Sequence, residues 1–440
     1  MIVHRCALVV WLIAVAVAVP TTVAAQVNNG PFGGLFGRTP EREGRQFTAV
    51  EFRTSGSGQF EDGVSLDHPL APTFDPGKGA YSGSANAALS FGRRGSRMES
   101  FMSGGVGYQE YFASRSYGAT SFRGGGTLRA RPTTRVTVDS AAHFSRQPYF
   151  QVLPPVLAAT PQWVVPIAAN PFAARLLVND SLDGQVGSTY QPTKRFSTSA
   201  YVTGRQMRFH QEPDHDFDMV GGQGGARYQI SRDTSFGLAY GRENYRTRKF
   251  GEEGRYVHEY LEVSLDFLRD IKITRRTSFG ITTQTSVLRE GGASRKYRLN
   301  GSATLSRLFQ RTWRASLSAQ RRTEFLPGFF KPLFSDQVNA SVGGMFTPRV
   351  DWFALAGGGV GQFGFDASGR FRSATATTRL NVGLSRRLGT FVQYSFYHYE
   401  LPPGTDSLPV LDRMSRQSVV AGFNIFVPLY SQVREPGGPQ

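Results

Sequence analysis

The chain has 440 residues, with 50 Lys+Arg against 33 Asp+Glu and a formal net charge of +17. Its mean hydropathy of -0.30 excludes a bundle of transmembrane helices, which needs repeated runs of about 20 apolar residues. Intrinsic disorder is also excluded, because 40% hydrophobic and 12% aromatic residues supply ample surface to bury.

The N-terminal segment has the pattern of a secretory signal peptide. A short start containing Arg5 precedes the apolar run 6–19, and the segment closes on Val23-Ala24-Ala25. A run of this length, at about 1.5 Å per helical residue, is too short to cross about 30 Å of hydrocarbon. We therefore expect cleavage after Ala25, which also removes the only cysteine, Cys6.

Beyond this segment the chain alternates apolar residues with small or polar ones, the period expected of β-strands. In one of these segments Tyr297, Leu299 and Leu305 share a face opposite Arg298 and Asn300. We count 18 such segments, which start near residues 46, 79, 97, 120, 133, 181, 195, 216, 234, 255, 276, 295, 312, 335, 351, 371, 389 and 417.

The connections between these segments alternate in character. Every second one is short and basic, as in 93–97, 131–135, 192–195, 231–234, 274–277, 309–312, 347–350 and 385–389. The others are longer and contain most of the acidic clusters, prolines and apolar inserts. This rhythm predicts an up-and-down array of hairpins, with tight turns at one rim and long loops at the other.

Repeated motifs agree with a hairpin unit of about 40 residues. Ser231–Gly237 (SRDTSFG) recurs as Thr274–Gly280 (TRRTSFG), 43 residues later. A β-propeller also has a period near 40, but its blade needs four short strands, whereas each period here contains two long ones. A soluble β-sandwich explains only the alternation. An export signal, an even strand count and aromatic strand ends together favour an all-β, transmembrane, antiparallel up-and-down barrel in the cell outer membrane.

The basic turn followed by Thr or Ser and an aromatic strand start resembles a porin-like family of Gram-negative outer-membrane β-barrels associated with exopolysaccharide systems. The resemblance covers nearly the whole mature chain through its pattern rather than a diagnostic motif. It implies a channel with the long loops outside the cell. We accordingly predict a signal peptide at 1–25, a flexible periplasmic segment at 26–45, the barrel at 46–430 and a C-terminal tail at 431–440.

Arginines dominate the predicted inner face of the barrel. Placing the apolar face of each strand toward lipid turns these residues inward: Arg123, Arg129, Arg135, Arg227, Arg298, Arg314 and Arg379. An arginine facing lipid at the bilayer midplane costs about 2 to 4 kcal/mol, which favours the inward placement. The acids Asp139, Asp183, Glu262 and Asp266 share that face. A positive lumen that concentrates anions and an ion-paired network without selectivity both remain open.

The longest insert, Pro148 to Asp180, is strongly apolar and follows the fifth strand. Its Asn170-Pro171 pair predicts a short helix that ends at Leu177. In porins, which the chain resembles, the loop after the fifth strand commonly folds inward as a constriction. We predict that role for Trp163, Phe172, Leu176 and Leu177.

No catalytic residues, metal ligands or cofactors are predicted, and we expect the protein not to be an enzyme. Residues His210, Asp214, His215, Asp216 and Asp218 are the densest acidic and histidine cluster, but their spacing fits no closed metal geometry. The expected partners are outer-membrane lipid and lipopolysaccharide, the barrel-assembly machinery, and anionic solutes or polysaccharide. Nucleic acid is not expected, because the basic charge is dispersed.

Three functions remain open from the sequence. The first is a porin-like channel that passes or exports anionic solutes or polysaccharide through an arginine-lined lumen. The second is a structural or surface-interaction barrel plugged by its own loops, without transport. The third is a hydrolase with its site at the rim of the barrel.

Overall fold

The computed structural model describes residues 46–65, 73–112, 117–149, 177–210, 216–231, 234–249, 252–267, 277–290, 296–309, 312–325, 332–364, 370–400 and 413–434. All strands of this part of the chain belong to one antiparallel sheet. In chain order they are β1 (Gln46–Ser65), β2 (Thr73–Arg94), β3 (Met98–Phe112), β4 (Tyr117–Ala130), β5 (Val136–Tyr149), β6 (Leu177–Tyr190), β7 (Phe196–Phe209), β8 (Phe217–Gln229), β9 (Thr234–Lys249), β10 (Glu252–Phe267), β11 (Thr277–Glu290), β12 (Lys296–Phe309), β13 (Trp313–Glu324), β14 (Leu333–Thr347), β15 (Val350–Phe363), β16 (Arg370–Gly383), β17 (Leu388–Glu400) and β18 (Arg413–Arg434).

The sheet closes on itself. Each strand pairs with the next one in sequence, and β1 pairs with β18 from Gln46↔Arg434 to Glu61↔Ser418. A register shift between Val50 and Glu51 interrupts this last pairing. The predicted fold, an antiparallel up-and-down barrel of 18 strands, is confirmed.

The two faces of the wall differ as the alternation predicts. On β12, the side chains of Tyr297 and Leu299 are 70% and 62% exposed on the outside, whereas Asn300 on the other face is 5% exposed. A closed barrel has no free edge strand, so most of its backbone polar groups are satisfied within the wall. This architecture and its apolar outer face define an outer-membrane β-barrel.

The short connections form one rim of the barrel, the short rim, and the longer connections form the opposite long rim. Ser or Thr side chains stabilise several short turns. The Oγ1 of Thr133 accepts hydrogen bonds from the backbone N–H groups of Arg135 and Val136, and the Oγ of Ser385 does the same for Arg387 and Leu388. This bond pattern explains why Ser or Thr recurs in these basic turns.

Aromatic side chains mark the outer wall close to the short rim. The ring of Trp313 lies 5.1 Å from that of Phe346 and 5.9 Å from that of Trp352, measured between centroids. Gly344 makes room for this group, because a Cβ there would lie 2.5 Å from Cγ of Trp313. Such a cluster fits the aromatic girdle that outer-membrane barrels place at the membrane interface.

Several boundaries differ from the sequence prediction. The insert is shorter than expected, because β5 continues to Tyr149 and pairs there with Leu177 at the start of β6. The prediction that Leu177 ends a short helix is therefore wrong. Strand β18 continues to Arg434, beyond the predicted barrel limit at residue 430. At the long rim, β9 and β10 are joined through residues 250–251 alone, with Lys249 paired to Glu252.

Among the described residues, no helix is long and apolar enough to cross a membrane. The predicted signal peptide 1–25 and the segment 26–45 lie outside the part of the chain that the structure describes.

Candidate functional site: the inner wall of the barrel

Strand register places most of the predicted arginines on the inner face. Arg129 lies opposite Asp139, Arg227 opposite Gly237 and Arg379 opposite Gln393, all on the inner side of the wall. The register also puts Arg123 and Arg314 on the inner face of β4 and β13. Arg135 is different, since it is an exposed residue of the turn 131–135.

Acids on the inner wall of β1 to β7 are paired with arginines. The guanidinium of Arg53 lies 2.9 Å from Glu51, and the Nε of Arg129 donates to Asp139 at 2.6 Å. Arg94 pairs with Glu99, and Arg205 with Asp183. The side chains of Arg53, Arg129 and Arg205 nevertheless stay 47–58% exposed, so the wall presents guanidinium groups to the lumen.

A cleft of about 490 Å³ opens on this part of the inner wall near the short rim. Two aromatic side chains, Phe101 and Tyr201, line it together with Gln185 and the pairs Arg94–Glu99 and Arg129–Asp139. Tyr201 packs over Gly187, where any Cβ would collide with its ring. The cleft thus combines aromatic surface with charged donors and acceptors, the composition expected of a small-molecule subsite.

Arg379 has a different environment from the other predicted lumen arginines. Its side chain is 3% exposed, and its guanidinium lies 3.9 Å from the ring centroid of Phe391. Its Nε donates to Oδ1 of Asn381 at 2.9 Å, and Asn381 in turn donates to Oδ1 of Asp351 at 2.6 Å. Arg379 therefore belongs to a buried polar network of the wall and does not meet passing solutes.

A second buried charge network joins the closing strands. Arg416 of β18 and Glu61 of β1 form an ion pair of 3.2 Å, and each side chain is 1% exposed. Because both charges are removed from water, loss of either side chain would leave the other charge buried and uncompensated. The inner face of β14 to β18 is generally buried in this way, in contrast to the open face of β2 to β7.

The β13–β14 hairpin packs inside the barrel where β13 ends and β14 begins, at Phe325 and Phe334, which we call the hairpin tip. Phe325, the residue after β13, stacks on Tyr245 of β9 with 3.8 Å between ring centroids, and lies 5.4 Å from Tyr256 of β10. Phe334 of β14 belongs to the same buried cluster, with Phe217 and Leu288. The hairpin tip therefore reaches across to the inner faces of β8 to β11 and narrows the lumen at the long rim.

Arg298 is held by this hairpin. Its guanidinium lies 4.9 Å from the ring centroid of Phe334 and 3.6 Å from Oδ1 of Asp336. Arg321 binds the same carboxylate through two hydrogen bonds of 2.6 and 2.9 Å. Arg298 therefore anchors the tip of the hairpin and is not a free charge of the lumen.

Glu243, Tyr245 and His258 form a hydrogen-bonded triad beside the buried rings of Phe325 and Tyr256. Oε2 of Glu243 accepts a hydrogen bond of 2.6 Å from the Tyr245 hydroxyl and lies 3.0 Å from Nδ1 of His258. His258 is 7% exposed at its side chain. The triad fixes the Tyr245 ring that supports Phe325, so we assign it a positioning role.

Other predicted residues fall elsewhere. Of the acidic and histidine cluster, His210 pairs with Asp180 at 2.8 Å and Asp218 with Arg208 at 2.7 Å, while Asp214 and His215 lie outside the described residues. The constriction residues Trp163, Phe172 and Leu176 also lie outside them, and of Leu177 only the backbone is described.

Sequence reasoning did not identify the hairpin tip. The available signal is the run Phe325–Phe334 (FLPGFFKPLF), which is as apolar as the insert but much shorter. A connection of this composition at the long rim must find shelter from water.

The barrel resembles solved outer-membrane proteins in architecture. OpdQ of Pseudomonas aeruginosa is 11% identical, with 87% of this chain and 98% of that chain covered and a TM-score of 0.46. OccK7 (OpdD) of the same organism is 12% identical, with 87% and 100% covered and a TM-score of 0.47. OccK2 (OpdF), solved in complex with glucuronate, is 11% identical, with 87% and 98% covered and a TM-score of 0.46. No family model and no curated protein matches the sequence.

At these values the comparisons assign neither a substrate nor an activity. The closed wall of 18 strands and its apolar outer face define the class of protein, an outer-membrane barrel of porin-like architecture.

Proposed function

We propose that the protein is a porin-like channel that passes anionic solutes through an arginine-lined lumen. The observation that carries this proposal is the exposed row of arginines on the inner wall of β1 to β7, where Arg53, Arg129 and Arg205 stay accessible although each pairs with an acid. A barrel of 16 to 18 strands is wide enough to leave an aqueous channel. Guanidinium groups along such a path attract anions and supply several N–H donors to a carboxylate or phosphate.

The test is ion selectivity in planar bilayers. In a salt gradient, the reversal potential should show preference for chloride over potassium. Changing Arg129→Gln and Arg205→Gln leaves Asp139 and Asp183 unpaired, so the preference should move toward cations. The matched control is Arg242→Gln, which removes an arginine paired with Glu259 on the outer wall and should leave the reversal potential unchanged. A cation-selective wild type contradicts the proposal.

A second function is a barrel whose lumen is blocked by its own chain. The inward hairpin tip and the buried inner face of β14 to β18 favour it. In that case the protein acts at the surface as a structural or interaction barrel, and wild-type protein shows no conductance in the same bilayers. No observation favours the rim hydrolase. Passage of polysaccharide and association with exopolysaccharide systems stay predictions.

A further inference from the structure

The outer wall of β11 to β16 contains a concave groove, which we call the outer groove. It has a volume of about 840 Å³, and its apolar lining includes Leu299, Ala319, Val338 and Val360. A second cavity of about 730 Å³ continues it toward the short rim, over Leu317, Ala340, Ala354 and Ala376.

Two features of the chain produce the groove. The outer face of β13 to β16 has small side chains, such as Ala319, Ala356 and Gly358, between the larger ones of β12 and β17. In addition, the β12–β13 pairing ends at Gly301↔Arg321, although both strands continue beyond this point. There the hairpin leans into the lumen, and the outer wall retreats behind it.

The outer groove lies in the half of the wall nearer the long rim. The second cavity separates it from the aromatic cluster around Trp313, and its upper end is a charged row that contains Arg321, Asp336 and Arg372. Arg321 comes eight positions after Trp313 along β13. At about 3.3 Å per residue and a strand tilt near 40°, this is about 20 Å of height, against an apolar band about 25 Å tall. The charged row therefore meets the headgroups at the long rim.

The groove must be filled in a membrane. Its apolar walls cannot hold ordered water, and an empty void would lose dispersion contacts along its whole lining. Only an acyl chain or another protein is available at this position. A twofold dimer is a poor filler, because its symmetry brings the same patch of both subunits together and would join two concave surfaces.

The charged row selects the headgroup. Asp336 is shared by Arg321 and by Arg298, and Arg372 is an exposed neighbour on β16. Arg372 pairs in register with Glu400, which lies 3.6 Å from His398. Arg370 is a third exposed arginine on the same face of β16, so the guanidinium groups of Arg321, Arg370 and Arg372 stand against the carboxylates of Asp336 and Glu400 on the outer wall. One phosphate group would balance this excess. Arginine is well suited to this contact, because its planar fork binds phosphate with two parallel hydrogen bonds.

We propose that the outer groove binds lipopolysaccharide, with an acyl chain of its lipid A over the Ala and Gly floor and a phosphate against Arg321 and Arg372. The site depends on the barrel spanning the outer membrane, but not on what crosses the lumen. Its failure and the failure of the channel function are therefore distinguishable.

Native mass spectrometry of the purified full chain, titrated with diphosphorylated lipid A, tests the proposal. Wild type should retain one lipid A, with at least tenfold weaker retention of the dephosphorylated form. Arg372→Gln should weaken binding of diphosphorylated lipid A, and Ala356→Leu, which fills the floor, should weaken binding of both forms. Matched controls on the outer wall far from the groove are Arg146→Gln on β5 and Ala200→Leu on β7, which should bind as wild type does.

Two results overturn the proposal. One is equal lipid A retention by wild type and by Ala356→Leu, when both migrate as folded barrels on a heat-modifiability gel. The other is a wild-type dimer that Ala356→Leu converts to a monomer, which makes the groove an interface between copies of this chain.

Discussion

Replacing Phe325 by alanine should release the β13–β14 hairpin tip from the inner wall. The ring is 8% exposed, stacks on Tyr245 at 3.8 Å and lies 5.4 Å from Tyr256. Truncation of a buried phenylalanine costs about 3 to 5 kcal/mol. Since about 1.4 kcal/mol is a factor of ten, the balance between inward and outward tip positions should shift by roughly 100-fold to 4,000-fold toward the outward position.

Single-channel recording in planar bilayers measures this shift. Phe325→Ala should show longer or more frequent states of high conductance, because the released tip no longer narrows the lumen. Phe325→Tyr keeps the aromatic stack and should retain the wild-type record. The control is Phe309→Ala, which removes an exposed ring from the lipid side of the wall. If folded Phe325→Ala has the same distribution of conductance as wild type, the tip does not narrow the path.

Three further predictions concern topology, closure and the insert. Protease added to intact cells should cut only connections at the long rim, and cleavage in the short turn at Arg386 would reverse the orientation. Arg416→Met alone should lower the free energy of unfolding by about 3 to 5 kcal/mol, measured by urea unfolding from vesicles, because Glu61 stays buried without its partner. The double variant Arg416→Met with Glu61→Leu should recover most of this loss. If the single change leaves the free energy of unfolding unaltered, the buried pair is contradicted. Deleting residues 150–176 should raise conductance and leave assembly intact, whereas unchanged conductance would place the insert outside the path.

The sequence predicts the strands of the wall well, because the residue pattern of each strand depends on what lies on its two faces. The alternation of Tyr297, Leu299 and Leu305 with polar residues follows from lipid on one side and polar surroundings on the other, whichever strand lies next to it. The number of strands and the face of each strand that points to lipid can therefore be predicted from local sequence alone.

The side-chain contacts inside the lumen cannot be predicted from the residue pattern of any single strand. Arg379 and Arg129 have similar positions in their strands, yet one is buried over Phe391 and the other is exposed beside Asp139. The contact of Phe325 with Tyr245 joins residues 80 positions apart, across strands that are not neighbours in the sheet. Such contacts depend on how the hairpin leans, which periodicity does not specify.

The pairing of β1 with β18 has a consequence for how the barrel is made. Its contacts, such as Glu61 with Ser418, span almost the whole chain, so closure waits until the last strand has been synthesised. Contacts of such long range form slowly. Until then the unfinished sheet has two open edges with unpaired N–H and C=O groups, each able to capture a strand of another molecule. The vulnerable stage of this protein is therefore the interval before closure, when shielding of its two edge strands decides between a finished barrel and an aggregate.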